Sequence, residues 1–547
     1  MLRKFLGIAL SLLFTSNALA DSIDDFKDSW VGKALAYQRT LDLFSALKDN
    51  NILGTHNSYN SSAYSSIIYA LPNQHVSIKD QLRMGSRFIE LDAHWTWKVG
   101  KMPWNPKDLL LCHSSNGHAT CSQLERYVWE SLKEIHEWLD QNRNEVIILY
   151  IEDHTDGHHR ELLNVLNEQL GGRIYPSNGC KSIPDTLTKA EVLKAGRQVV
   201  LWKDGNPECS PEAGLAALAY TGLGNLERTW EDRTLPGIWD YAINGGRPLL
   251  TSSDVVVAFK VGLSPDCNNN PCNIVNLDLM GITDGRLEAG VWSWAKNEPN
   301  NYRNDQDCAV QMNNGRWDDD HCYKSYPYAC RQLGSDNWII TMQEGDWVGG
   351  AAACAAMNGD YMFDVPTNSS ENEKLRAQLG GISRVWLNYN DIPVEGQWNP
   401  SFPMLLARNS GKCLDVSGGS TVDGANLIQW PCHGSDNQRW KVQSTDDGYI
   451  MLQSKHSGKC LDVARESTVD GANMIQWSCH GRDNQKWKVE VTNDGFVMLQ
   501  SKHSGKCLDV SGGSTVDGAN LIQWPCHGSK NQKFYFELPE QLLGLVY

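Results

Sequence analysis

The sequence predicts a multidomain chain: an α/β barrel, then a segment rich in Trp, Gly and Asn, then a closed all-β unit built by threefold repetition. Strand-like apolar runs alternate with helical stretches from about 30 to 287. Tryptophan, glycine and asparagine stand out from 288 to about 400. One motif then recurs with a period of 47 residues, starting at Gly411, Gly458 and Gly505. At 547 residues the chain exceeds one ordinary domain, since domains run to roughly 100–200 residues. With 41% hydrophobic and 21% charged residues it has enough apolar side chains to build real cores. A net charge of −16 argues against nucleic acid as a partner, because phosphate binding needs a basic surface.

At the start, Arg3 and Lys4 precede an apolar run from Phe5 to Phe14, and Ala18-Leu19-Ala20 forms a small-x-small cleavage site. Residues 1–20 therefore predict a secretory signal peptide, the run being half the roughly 20 residues of a membrane anchor. The mature chain would begin at Asp21 with a charge of −18, secreted and extracellular. Export makes disulfides the first reading of the 16 cysteines. Neighbours in sequence pair as Cys112 with Cys121, Cys180 with Cys209, Cys267 with Cys272, Cys413 with Cys432, Cys460 with Cys479, and Cys507 with Cys526. Sequence alone does not decide connectivity, and a structural zinc site is the alternative for any four.

Within 21–287, Arg87 to Leu91, Leu109 to Cys112, Val146 to Ile151, Gln198 to Trp202 and Ile274 to Leu279 read as strands, with helical signal notably from Ser122 to Asn142. Repeated βα alternation over this length suggests an α/β barrel, where polar residues at strand C-termini are catalytic candidates. Four clusters sit there: Gly54-Thr55-His56-Asn57-Ser58, Glu90-Leu91-Asp92, Cys112-His113 and Glu152-Asp153. Glu90 and Asp92, two apart on a strand, face the same side. Asn57, Glu90, Asp92 and Glu152 make an all-oxygen set suited to Ca²⁺. His56 and His113 remain for proton transfer, one to deprotonate an attacking hydroxyl and one to protonate a leaving alkoxide.

This pattern resembles the catalytic X-region of the calcium-dependent phosphoinositide-specific phospholipases C. His-Asn, Glu-x-Asp, a second His and Ile-Glu-x-His appear here as His56-Asn57, Glu90-Leu91-Asp92, His113 and Ile151-Glu152-Asp153-His154. The resemblance covers about 45 to 285 and implies a TIM-like barrel. It makes His56 and His113 the catalytic pair, and Asn57, Glu90, Asp92 and Glu152 the calcium ligands. Lys203 matches a family lysine on the substrate phosphate. The implied reaction is attack of the inositol 2-hydroxyl on phosphorus, with His56 or Glu90 as base. Products are diacylglycerol and a cyclic inositol phosphate. A glycosylated phosphatidylinositol fits equally, and either substrate implies peripheral membrane contact. His94, His118, His154, His158 and His159 are expected at the surface or behind the site.

The three repeats, GKCLDVSGGSTVDGANLIQWPCHGSDNQRW and its two near copies, hold short alternating strands between Gly, Asp and Asn turns. They resemble the ricin B-type β-trefoil lectins over about 404–547. That resemblance assigns sugar binding to Asp415, Trp430 and Asn437, to Asp462, Trp477 and Asn484, and to Asp509, Trp524 and Asn531. His433, His480 and His527 match a pocket histidine, while Trp440, Trp487 and Phe534 are expected in the core. Three similar sites for cell-surface glycans are implied, with avidity across them.

From 288 to 403, Trp292-Ser293-Trp294, Glu298-Pro299-Asn300 and Trp317-Asp318-Asp319 resemble the C-terminal half of a C-type lectin domain, an α+β fold. Trp347 to Cys354 and Val385-Trp386-Leu387-Asn388 resemble its N-terminal half, so the halves are reversed. Two decayed partial domains or one circular permutation explain this. Permutation leaves Cys308 with Cys322 and Cys330 with Cys354 as the family bridges, and brings Gly396-Gln397-Trp398 beside Val291-Trp292. Glu298, Asn300, Asp318 and Asp319 form a possible second metal or sugar site, with Gln306 replacing an acidic ligand. A structural spacer is the alternative.

Taken together, these readings predict a secreted, calcium-dependent phosphodiesterase targeted to glycans. The alternatives are a carbohydrate-binding adhesin or toxin component without catalysis, and an enzyme of the glycerophosphodiesterase or sphingomyelinase D type.

Overall fold

The computed structural model describes residues 23–536, apart from 65–71, 98–105, 114–117, 119–120, 122–124, 178, 180, 205–213, 232–249, 262–266, 268–270, 333–334, 358–360, 392–397, 399–403, 432–435, 446, 455 and 493–495. The chain divides into two compact units, Met1–Trp292 and Ser293–Tyr547. The border expected after 287 lies five residues before this division. Gln38 on helix Trp30–Leu41 holds the intervening segment: its Nε2 donates to Gly290 O (3.3 Å) and its Oε1 accepts from Trp292 N (2.7 Å).

Among the described residues of the first unit, eight strands form one sheet: β1 Ile52–Thr55, β2 Phe88–Thr96, β3 Asp108–Leu111, β4 Arg126–Tyr127, β5 Ile147–His154, β6 Val199–Lys203, β7 Arg228–Trp230 and β8 Ile274–Leu277. Six run parallel in the order β7-β8-β1-β2-β5-β6. Read around a circle this is chain order, cut between β6 and β7. Among the described residues the free edge of β6 is met by bridges from Ile174 to Val199 and from Tyr220 to Trp202. The strands are buried almost throughout, as expected when both faces of a parallel sheet are covered.

Alternation along β2 sets the chemistry apart from the core. Ile89, Leu91 and Ala93 pack with Leu132, Ile135 and Leu166 of the covering helices. Glu90, Asp92 and His94 therefore face the other side. The strand expected at Leu109–Cys112 forms, but not as a parallel member of the alternation. Nine-residue β2 overruns the sheet, and β3 returns antiparallel along its end, Thr96 opposite Asp108 and Ala93 opposite Leu111. The helix expected from Ser122 starts at Val128, because Arg126 and Tyr127 pair with β3 first; the Glu130 carboxylate then accepts from Tyr127 N (2.8 Å).

Among its described residues the second unit holds two sheets. Six strands come from 308–390, ordered Trp317–Asp320, Cys308–Met312, Arg384–Asn390, Tyr326–Gln332, Trp338–Gly345, with Tyr361–Phe363 added to Tyr326–Gln332. Helices Gly350–Ala355 and Ser369–Gln378 accompany them, and Trp347, Phe363 and Trp386 share their core. The ends of this segment adjoin, Trp294 and Trp398 meeting edge to face with centroids 4.6 Å apart.

Twelve strands form the repeat region, with the hairpins Cys413–Val416/Leu427–Trp430, Cys460–Val463/Met474–Trp477 and Cys507–Val510/Leu521–Trp524 in equivalent positions. Trp440, Trp487 and Phe534 fill the core at equivalent positions. Disulfides join Cys112 to Cys121, Cys267 to Cys272, Cys308 to Cys322, Cys330 to Cys354, Cys460 to Cys479, and Cys507 to Cys526. Cys413 is disulfide-bonded. The expected signal peptide, Cys180, Cys209, Cys432 and His433 lie outside the described residues.

Candidate active site and sugar sites

The first unit gathers its candidates at the C-terminal ends of β1, β2 and β5. Register places Asp92 beside Glu152 and His94 beside His154. The carboxylates of Glu90, Asp92 and Glu152 lie within 4.8 Å of one another. Asn57 joins them through a left-handed backbone (φ 44°), which asparagine tolerates better than most residues. One orientation of its amide donates Nδ2–H to Asp92 Oδ2 (2.8 Å) and accepts from His56 Nε2 (3.2 Å). The other donates to His56 Nε2 (3.2 Å) and turns Oδ1 toward Asp92.

His56 is nearly buried and its Nδ1–H donates to Asp278 Oδ1 (3.1 Å). Asp278 is fully buried, accepts from Asn73 Nδ2 (3.1 and 3.2 Å), and has its own carbonyl held by Arg286 Nη2 (2.7 Å). His113 arrives because β3 runs antiparallel: Cys112 N donates to Asp92 O (3.3 Å), which brings the next residue to the level of the carboxylates. Both imidazoles stabilise charge on Glu152.

Burial, then repulsion from Glu152 and Glu90, pushes the Asp92 carboxyl well above its usual range, although Tyr59 donates to Oδ2 (2.8 Å). Burial also raises Glu152, but the hydrogen bond from His154 Nε2 (2.9 Å), with the charge of the nearby imidazoles, outweighs it and holds the group low. Arg228 Nη2 donates to both carboxylate oxygens of Glu90 (2.9 and 2.8 Å), and Asn276 Nδ2 adds a third bond (3.1 Å). Three converging carboxylates with one amide oxygen in reach, one guanidinium among them and Asp92 uncompensated, suit a hard divalent cation.

Lys203 is in the same wall but is buried, its ammonium 2.6 Å from Asp153 Oδ2 and donating to Asp204 O (2.8 Å). His94 is fully buried, so of the two places expected for it the surface is excluded. Burial, then His154 and His118, depress it to about 3; its ring stacks on His154 (4.4 Å) and its Nδ1 meets His118 Nδ1 (3.0 Å). Those two imidazoles lie near Cys121, but that sulfur is bonded to Cys112. Asp278, Arg228 and Tyr59 join the site unexpectedly. Asp278 had a readable signal, closing the strand expected at Ile274–Leu279; Arg228 and Tyr59 had none.

In the repeat region Asp415 accepts from Asn437 Nδ2 (3.0 Å) and Gln438 Nε2 (2.8 Å). Asp509 accepts from Asn531 (2.9 Å) and Gln532 (2.8 Å). Asp462 accepts from Gln485 Nε2 (2.9 Å), while Asn484 donates to Val463 O (3.4 Å). His480 and His527 each stand 3.4 Å from their aspartate. Trp430, Trp477 and Trp524 are 40%, 42% and 41% exposed, open for stacking, whereas Trp440 and Trp487 are buried. Elsewhere in this unit Glu298, Asp318 and Asp319 converge within 4.8 Å. Asn300 Nδ2 donates to Glu298 Oε1 (2.8 Å). Burial and the neighbouring Asp319 and Asp318 push Glu298 up to about 8.

Comparison with known proteins gives two family matches. Residues 14–223 match the Rv2075c PI-PLC-like domain and residues 402–534 the ricin-type beta-trefoil lectin domain. Among curated proteins, an uncharacterized protein, Rv2075c, of Mycobacterium tuberculosis is 28% identical over 408 residues, 67% of this chain and 81% of its own. Maintenance of telomere capping protein 6 of Yarrowia lipolytica is 26% identical over 186 residues, 29% of this chain and 26% of its own. Among solved structures, the designed threefold-symmetric protein ThreeFoil is 51% identical over 24% of this chain and 96% of that one, with a TM-score of 0.24.

Proposed function

We propose that this chain, which carries an N-terminal PI-PLC-like domain and a C-terminal ricin-type β-trefoil lectin domain, is a secreted phosphodiesterase. Its substrate is an inositol phospholipid or a glycosylated form of one, and its trefoil holds it on glycans. The observation that carries the reading is the His56–Asp278 pair beside three carboxylates, with His113 acting on the same Glu152. With Nδ1–H committed to Asp278, His56 presents Nε2 as the base that takes the proton of the inositol 2-hydroxyl. Asp278 then stabilises the imidazolium, the role of an orienting carboxylate. Glu90 is occupied by Arg228 and Asn276, which leaves the base role to His56. His113 protonates the departing diacylglycerol oxygen, and the new bond from the 2-hydroxyl oxygen to phosphorus closes the cyclic inositol phosphate.

Asn57, Glu90, Asp92 and Glu152 would hold Ca²⁺, which supplies positive charge for the phosphate oxygens. The turned amide of Asn57 and the uncompensated Asp92 support that set. Lys203, held by Asp153, supports the site from behind its wall rather than by a free ammonium. In the second unit, Glu298, Asn300, Asp318 and Asp319 would take a further cation in a C-type lectin-like domain, whose permutation the meeting of Trp294 and Trp398 supports.

The test is release of inositol phosphate from phosphatidylinositol vesicles with Ca²⁺ and with chelator. Loss of turnover in chelator, restored by Ca²⁺, is expected; unchanged turnover overturns the calcium assignment. Activity that survives His56→Ala combined with His113→Ala overturns the site, and no turnover on any phosphodiester favours the adhesin alternative.

A further inference from the structure

The three sugar sites are near copies in sequence, yet the middle one departs at its rim. Where the first copy reads Ser417-Gly418-Gly419 and the third Ser511-Gly512-Gly513, the second reads Ala464-Arg465-Glu466. All three segments take the same turn. Gly418 and Gly419 have φ of 64° and 59°, Gly512 and Gly513 of 63° and 62°, and Arg465 and Glu466 of 59° and 51°. The fold therefore asks for the left-handed region twice in succession. Two copies meet the demand with glycine, which has no Cβ to oppose it; the second meets it with two long charged residues. Backbone strain of this kind persists only where surrounding structure over-determines the conformation. Here His503 Nε2 holds Glu466 O (2.7 Å), just as His456 holds Gly419 O (2.6 Å) in the first copy.

A further difference lies opposite. Arg482 stands where the other copies have Ser435 and Ser529, and its Nη1 pairs with Glu466 Oε1 (2.8 Å). These side chains border one concavity with the sugar-binding set: Asp462, Arg465, Glu466, Trp477, His480 and Arg482 all line it. The Arg482–Glu466 pair is internally neutral. Arg465 is exposed and, among the described residues, makes no ion pair, so on this rim its guanidinium is left for a ligand.

We infer that the middle site is specialised for a sugar carrying an anionic group, a carboxylate or a sulfate, with Arg465 as the specificity-determining residue, while the first and third sites take neutral sugars. Trp477 stacks on the apolar face of the ring and Asp462 accepts from its hydroxyls, as in the other copies. Arg465 adds a charge-assisted fork to the anion, a geometry that guanidinium matches bidentately. The Arg482–Glu466 pair limits the selectivity to a single added contact and keeps the rim from attracting anions at large. The inference rests on the trefoil being a sugar-binding module.

The experiment is calorimetric titration of the full chain with matched pairs: galactose and galacturonate, glucose and glucuronate, mannose and mannuronate, and galactose 6-sulfate as the sulfate probe. Wild type is expected to bind one anionic sugar per chain about three- to tenfold more tightly than its neutral partner, the gain of one exposed charge-assisted contact. The variant Arg465→Gly restores the residue of the other copies at that position and leaves the Arg482–Glu466 pair in place. It is expected to lose the preference and keep neutral binding. A preference that survives this variant, or neutral sugars bound equally at three sites with no preference in wild type, overturns the inference while leaving the lectin reading intact. Absence of binding to every sugar, with Trp430→Ala, Trp477→Ala and Trp524→Ala changing nothing, overturns the lectin reading itself. Carboxylate and sulfate probes separate the two anion classes.

Discussion

At the level of single residues, burial and partner decide what each polar side chain can do. His56 and Lys203 were both expected to touch substrate, but their surroundings differ. His56 has one nitrogen fixed by Asp278 and the other at Asn57 beside the carboxylates, so it can carry a proton. Asp278→Asn should keep the ring in place but weaken the base, lowering kcat by about 10²–10³ with KM little changed, measured as inositol phosphate release. Lys203 is 2% exposed with its ammonium on Asp153. Lys203→Met leaves Asp153, 11% exposed, with His159 and Thr155 as its remaining partners, and a loss of about 1–2 kcal/mol in urea unfolding is expected. Full stability with lost turnover would instead return Lys203 to the substrate. Trp477 and Trp487, ten residues apart, make a second contrast. Trp487→Ala should cost about 3–5 kcal/mol because that ring is fully buried, whereas Trp477→Ala, 42% exposed, should abolish sugar binding at its site with under about 1 kcal/mol lost.

Elements carry the logic of placement. The overrun of β2 and its antiparallel return through β3 bring His113 to the level of Asp92, where a parallel strand would have needed a crossover to do so. The cluster at Glu298, Asp318 and Asp319 shows how strand neighbours accumulate charge. Raised to about 8, Glu298 binds its proton more tightly in the folded chain than in the unfolded one. Its contribution is therefore present below its ordinary value of 4.5 and is lost as pH rises through about 8. In chelator, the melting temperature of the second unit should fall as pH rises from about 6 to about 8.5, and added Ca²⁺ should reverse the fall if the cluster holds a cation. The 464–466 turn gives a further expectation: Arg465→Gly with Glu466→Gly should stabilise the trefoil by about 0.5–1 kcal/mol, the left-handed strain relieved being partly offset by glycine's freedom in the unfolded chain.

For the whole molecule, the candidate catalytic and sugar sites belong to separate units, so under the proposed function glycan binding should act by concentrating the enzyme. Turnover on phosphatidylinositol vesicles that display glycans should show a lower apparent KM than on bare vesicles, at unchanged kcat, and free sugar should abolish the difference. Among the described residues no helix is long and apolar enough to cross a membrane. What was legible beforehand is what lies close together in the chain. The 47-residue repeats, the local cysteine pairs, and the carboxylates that close β2 and β5 all depend on spacing and period, which a sequence displays directly. What only the tertiary structure decided joins residues far apart. Asp278 meets His56 across 222 positions because β1 pairs with β8, and Arg228 reaches Glu90 across 138 because β7 lies beyond β8. The same holds for the middle sugar site. Its sequence shows only that two glycines became Arg465 and Glu466; the backbone angles and the shared concavity reveal that the exchange falls on the rim beside Trp477. Strand pairing creates such neighbours, and pairing is a property of the folded chain.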